Sequence, residues 1–339
     1  VAPQHLVDLL PLVLGFLPVL LFLAALLLLD SYKLVTGRAI LVTMGAGAAA
    51  AVVAFAANRG LLAAGLDHRT LRHYVAPVIE EIAKAAFLVY LVRSQRVGFM
   101  VDAGIRGFAV GTGFAVVENL YYAHALGDYG VLLWLVRGLG TAIMHGSTSA
   151  IVGILSKSLA DRHRSSAWWV FLPGLGIAIA SHAIYNHFFV NPLLATAVMC
   201  LLMPPLVIAV FERSERATQD WLSSEFDSDW QLLDSILSGE LGETRVGRYL
   251  ESIRHRFPGT VVADMLCLLR IEAELGLRAK ARLVARSAGV EIPLDESVQA
   301  DLAEMEFLQK AIGPTGLMAM HPILRQGGHD EWQLSTLEK

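Results

Sequence analysis

Seven stretches of roughly 20 mostly apolar residues follow one another in the first 211 positions, and nothing else in the chain restricts its fold as strongly. They span residues 6–29, 39–57, 75–92, 104–124, 131–156, 168–190 and 192–211. A bilayer core about 30 Å thick is crossed by a helix of about that length. The chain therefore reads as an all-α, polytopic transmembrane bundle of about seven spans. The last two runs meet at Asn191-Pro192, where proline ends one helix and opens the next. The first run lacks a basic leader and is too long for a signal peptide, so it is expected to stay as a span.

Lysine and arginine fix the expected orientation. Lys33, Arg38, Arg93, Arg96, Arg106, Lys157, Arg162, Arg164, Arg213 and Arg216 fall on one side, against Arg59, Arg69 and Arg72 on the other. This places the N-terminus outside and the C-terminus in the cytoplasm, with the chain in the inner (cytoplasmic) membrane. Tyr121, Tyr122, Tyr129 and Trp134 are expected to form the outer aromatic belt. Residues 1–211 carry a net charge of +4 and residues 212–339 a net of −8. The boundary at 211/212 thus separates a membrane core from an acidic C-terminal region. There, apolar residues at helical spacing in 246–257, 261–275 and 279–288 predict a small helical cytosolic domain, less regular after Gly313. Such a tail suits a protein partner, whereas nucleic acid is not an expected partner. Cys200 and Cys267 have no metal-ligand or disulfide spacing.

Ionisable residues inside spans are costly in lipid and therefore point to function. Glu80, Glu81 and Lys84 lie on the third run, Glu118 and Asn119 on the fourth, His145 on the fifth, and His182 and Asn186 on the sixth. At 1.5 Å per residue, Glu80, Glu81, Glu118 and His182 fall roughly 8 to 15 Å below the outer surface, and His145 at about 20 Å. Glu118, His145 and His182 match the two-histidine, one-glutamate ligand set of catalytic zinc sites. Glu80 or Glu81 could then be the general base, Lys84 its partner, and Asn119 or Asn186 an oxyanion donor. The same residues also support hydrolysis without zinc, with glutamate and histidine activating water directly; spacing leaves the two open. A hydrolytic site requires Glu81 to lie within about 12 Å of a histidine. Arg137 is expected to snorkel to the outer interface or to pair with a carboxylate. The competing readings are a proton-coupled transporter, for which no internal repeat is found, and a non-catalytic membrane scaffold.

Glu80-Glu81-x-x-Lys84, Phe114-x-x-x-Glu118-Asn119, His145 in a small-residue helix and His182-x-x-x-Asn186 occur in that order on four consecutive runs. On these motifs the chain resembles the PrsW family of intramembrane proteases, relatives of the CAAX-processing and bacteriocin-immunity membrane proteases. The resemblance implies a peptidase acting on membrane-anchored protein substrates in the bilayer, with the glutamate pair and the two histidines at its centre. It implies a metalloprotease or a glutamate-dependent enzyme, and an association with anti-sigma factor release in stress signalling.

Overall fold

The computed structural model describes residues 4–126, 130–187, 189, 191–293, 295–324, 332–334 and 337, and no side chains at 4–12, 126, 203, 204 and 207. Among the described residues every regular element is helical. The chain divides into two compact units, Val1–Glu215 and Arg216–Lys339.

In the first unit each apolar run forms a helix: α1 (Gln4–Leu29), α2 (Gly37–Ala63), α3 (68–93), α4 (Met100–Leu126), α5 (131–163), α6 (168–187) and the start of α7 (Pro192–Leu237). Among the described residues, four helices are long and apolar enough to cross a membrane: Gly37–Ala63, Met100–Ala125, Val131–His163 and Trp168–His187. α3 carries Glu80, Glu81, Lys84 and Arg93, whose charges depress its apolar character. α7 does not stop near Phe211, as the end of the apolar run implied; helical backbone continues to Leu237.

α4 lies at the centre of the unit, mostly buried. Gly107 and Gly111 explain how closely it meets α5. A Cβ at either position would strike α5 backbone, at Ser149 and Ala150 or at His145 and Gly146. In an apolar solvent such small residues let helix backbones pack directly. Glu118 and His145 are thereby held on two helices in backbone contact.

Two helices contain π-helical segments, Leu71–Val75 in α3 and Val136–Thr141 in α5. Each adds a residue to a turn and rotates the later part of its helix relative to the earlier part. Trp134 just precedes the second segment and is 1% exposed, not part of an outer belt. Gly15 has no side chain there, so the indole packs against it. Tyr129 lies outside the described residues.

Where α1 turns into α2, Asp30 is buried and its Oδ2 accepts from the Val35 amide at 3.2 Å. Burial, reinforced by the nearby Asp102 carboxylate, pushes the Asp30 carboxyl up to about 6. Asp102 itself accepts from Arg106 Nε at 2.5 Å and from the Gly98 amide at 3.0 Å.

The second unit contains α8 (Arg245–Ile253), α9 (Gly259–Ser287) and α10 (Glu296–Met320). The stretches 261–275 and 279–288, read as separate, belong to one helix, α9. Thr244 caps α8 by accepting from the Gly247 amide, and Asp295 caps α10 by accepting from the Ser297 amide. Met265, Leu268, Leu275, Leu308, Ile312 and Met320 form its core. Gly313, at φ 71°, with Pro314 kinks α10, yet helix resumes to Met320 where a less regular stretch was expected. Lys280 is fully buried, paired with Asp229 and 5.3 Å from the centre of the Trp221 ring.

Candidate active site

Glu81 is the hub. It projects from α3 into complete burial, and its Oε1 accepts from Lys84 Nζ at 2.7 Å, Thr148 Oγ1 at 3.2 Å and His182 Nδ1 at 2.8 Å. A carboxylate only accepts, so His182 carries a proton on Nδ1, and in the neutral imidazole Nε2 then keeps its lone pair. That Nε2 lies 3.8 Å from Glu80 Oε2. Lys84 and Glu81 are three residues apart, which places their side chains together on one helix face.

Lys84 reaches further than its own helix. Its Nζ is 3.2 Å from His145 Nδ1 and 3.3 Å from Thr148 Oγ1, and it lies 5.2 Å from the centre of the Phe114 ring. An ammonium has three donors and no acceptor, and Glu81, His145 and Thr148 use all three. His145 therefore accepts on Nδ1 and carries its proton on Nε2, which donates to Glu118 Oε2 at 3.2 Å. The two imidazoles meet edge to face, 4.9 Å apart. They have opposite tautomers: His182 presents an acceptor and His145 a donor.

Glu118 is shared. Arg137 Nη2 lies 3.1 Å from the same Oε2 that His145 approaches. The arginine does not snorkel: it is 9% exposed, with Cζ 3.8 Å from the centre of the Tyr122 ring. Its Nε donates to Asn119 Oδ1 at 2.9 Å, and Asn119 Nδ2 donates to the Gly15 carbonyl at 2.8 Å. The amide of Asn119 is thus committed to α1 and to Arg137. Asn186 Nδ2 donates to the Arg72 carbonyl at 3.3 Å, within the first π segment. Glu80 Oε1 accepts from Asn58 Nδ2 of α2 at 3.3 Å.

Glu80, Glu81, Lys84, Glu118, His145 and His182 therefore converge, while Asn119 and Asn186 tie the surrounding backbone. Among the described residues, the group spaced to hold a metal ion is Glu80, His145 and His182, whose ligand atoms all lie within 4.8 Å of one another. The sequence-derived ligand set had Glu118 in place of Glu80. Thr148 and Asn58 were not foreseen, whereas Arg137 takes the second of its two expected roles and pairs with a carboxylate, that of Glu118.

Residues 36–210, just over half the chain, match the model of the PrsW family intramembrane metalloproteases. The chain belongs to the PrsW family. No curated protein and no solved structure matches it. As a PrsW-family chain it is a membrane protein with an intramembrane protease domain, and all the converging residues fall inside the matched segment.

Proposed function

We propose that this PrsW-family chain hydrolyses membrane-anchored protein substrates at the buried cluster of Glu80, Glu81, His145 and His182. In this reading it crosses the inner membrane seven times, with the N-terminus outside, the site in the outer half of the bilayer and the second unit in the cytoplasm. Family membership motivates the physiological role we attach to the cleavage, release of an anti-sigma factor in stress signalling. The observation that carries the proposal is the pair of imidazoles with ring centres 4.9 Å apart, one on Glu81 and the other between Lys84 and Glu118, beside the Glu80 carboxylate.

Each residue has a chemical task. Glu81 holds His182 through Nδ1 and turns its Nε2 toward Glu80, where the imidazole can accept a proton. Glu80, held by Asn58 and less encumbered than Glu81, takes the proton from the attacking water. His145 donates through Nε2 to the oxygen that gains charge or to the leaving amine. Arg137 holds the Glu118 carboxylate in place. Asn119 and Asn186 fix backbone positions instead of contacting an oxyanion.

The donor set fits a divalent metal such as zinc. His182 has the arrangement of a ligating histidine, with Nδ1–H on a carboxylate and Nε2 open. Glu80 and His182 would hold the ion with His145, whose proton would have to move from Nε2 to Nδ1, with Lys84 then left to Glu81 and Thr148. When bound, such an ion makes water more acidic and polarises a carbonyl oxygen.

The test is metal analysis of purified protein beside cleavage of a membrane-anchored peptide in proteoliposomes, for wild type, His145→Ala, Glu80→Gln and Glu118→Ala. About one metal per chain, lost in His145→Ala and Glu80→Gln but kept in Glu118→Ala, supports this ligand set; loss in Glu118→Ala returns Glu118 to it. Metal-free protein that still cleaves assigns the water to Glu80 and His182 alone. Protein that cleaves nothing in either state sinks the hydrolytic reading.

A further inference from the structure

In the second unit, α7 exposes an apolar stripe that the core of that unit does not use. Phe226, Trp230 and Leu237 are 39%, 58% and 68% exposed, and Leu233 between them is half-buried. Their spacing of four, three and four residues puts all four on one helix face. A neighbouring face, carrying Ile236, packs on the core. Single exposed apolar residues are ordinary on any protein, whereas a contiguous stripe containing Trp and Phe marks a contact surface.

The charge beside the stripe selects the occupant. Asp220, Asp227 and Asp234 recur every seven residues along its solvent side, and all three are exposed. Residues 217–244 contain seven Asp or Glu and no Lys or Arg. A second copy fits poorly. Paired antiparallel, it would set this line of aspartates against its own copy. Paired parallel, it would need Leu222, Asp229 and Ile236, and Leu222 and Asp229 are buried while Ile236 faces the core. An anionic membrane surface is repelled by the same charges.

We propose that this face docks an amphipathic helix of another protein, one with a leucine- or phenylalanine-rich seam flanked by lysine or arginine. Trp230 is its central anchor and the Asp220–Asp227–Asp234 line sets its charge requirement. The inference concerns the second unit alone and does not depend on what the Glu/His cluster does.

The experiment uses the full chain in nanodiscs of neutral phosphatidylcholine. The probe is a fluorescein-labelled helical peptide of about three heptads, with leucine in the seam and lysine at the flanks; its counterpart has glutamate at the flanks. We expect the lysine peptide to bind at least about tenfold more tightly than the glutamate peptide, with affinity falling as salt rises. Trp230→Ala is expected to weaken binding about tenfold or more, and Asp227→Lys/Asp234→Lys to reverse the preference toward the glutamate peptide. These positions are exposed, so the fold should persist, and unchanged circular dichroism confirms it. Equal binding of the two peptides overturns the proposal, as does lysine-peptide binding indifferent to Trp230→Ala. Self-association of the chain abolished by Trp230→Glu, or attachment to phosphatidylglycerol vesicles through the same residue, would hand the face to another occupant and equally overturn it.

Discussion

Both units bury a lysine completely beside a carboxylate among the described residues, Lys84 with Glu81 in the first and Lys280 with Asp229 in the second. By burial and partner alone the two pairs are alike. Their surroundings separate them. Lys280 sits near the face of Trp221 in a helical core, where a paired charge fixes packing. Lys84 is bonded to His145 as well as Glu81, and Glu81 in turn to His182. A buried charge thus gains chemical meaning when the network around it ends in groups with donor or acceptor capacity left over, here Nε2 of His182 and the carboxylate of Glu80.

The sharpest way to break that contrast is Glu80→Gln or His182→Ala. Either is expected to lower cleavage of a membrane-anchored peptide by about 10²- to 10⁴-fold, the usual weight of a general base, with no large loss of thermal stability. Lys280→Met should do the reverse. It takes the cation from beside the buried Asp229 carboxylate and should destabilise the second unit by about 3 to 5 kcal/mol, read by denaturant unfolding, with cleavage by still-folded protein unchanged. The double variant Lys280→Met/Asp229→Leu should regain most of that loss, because an apolar pair needs no compensation.

Arg137→Lys sharpens the comparison within the first unit. It keeps the charge but loses the fork that reaches Glu118 and Asn119 together, and turnover should fall about tenfold. In a Glu118→Gln background the same substitution should have little further effect; additive losses would show that Arg137 acts elsewhere.

The smallest effect is expected at Asp30. Its folded carboxyl titrates at about 6, above its ordinary value of 3.8. Folding therefore favours the protonated form, and stability falls as pH rises from 3.8 through 6. Asp30→Asn should raise the melting temperature at about pH 7.5 and leave it unchanged near about pH 3.5. A wild-type melting temperature flat from about pH 4 to 7 would contradict the assigned titration.

Glu80, Glu81, Glu118, His145 and His182 were legible because an ionisable group in an apolar run stands out against its neighbours. Helix positions were legible for the same reason. What surrounds the carboxylates was not. Thr148 and Asn58 are ordinary in sequence, and only the fold brings them to Glu81 and Glu80. Asn119 and Asn186 sit next to Glu118 and one turn from His182 in sequence, yet their amides meet backbone carbonyls of α1 and the first π segment. Counting depth along a helix says how far down a residue lies, not which way it faces. Glu118 and Glu80 exchange places in the metal-spaced group for that reason.

The π segment at Val136–Thr141 has a consequence for how this chain compares with its relatives. One added residue turns the rest of a helix by about 100°, so Arg137 and His145 are set in different phases of one rod. Removing a residue there would restore an ordinary helix and swing the histidine off its target while leaving every motif intact. In an alignment such a variant would look complete, with a single gap ahead of the histidine. The gap, more than any substitution, would mark a member whose site no longer closes.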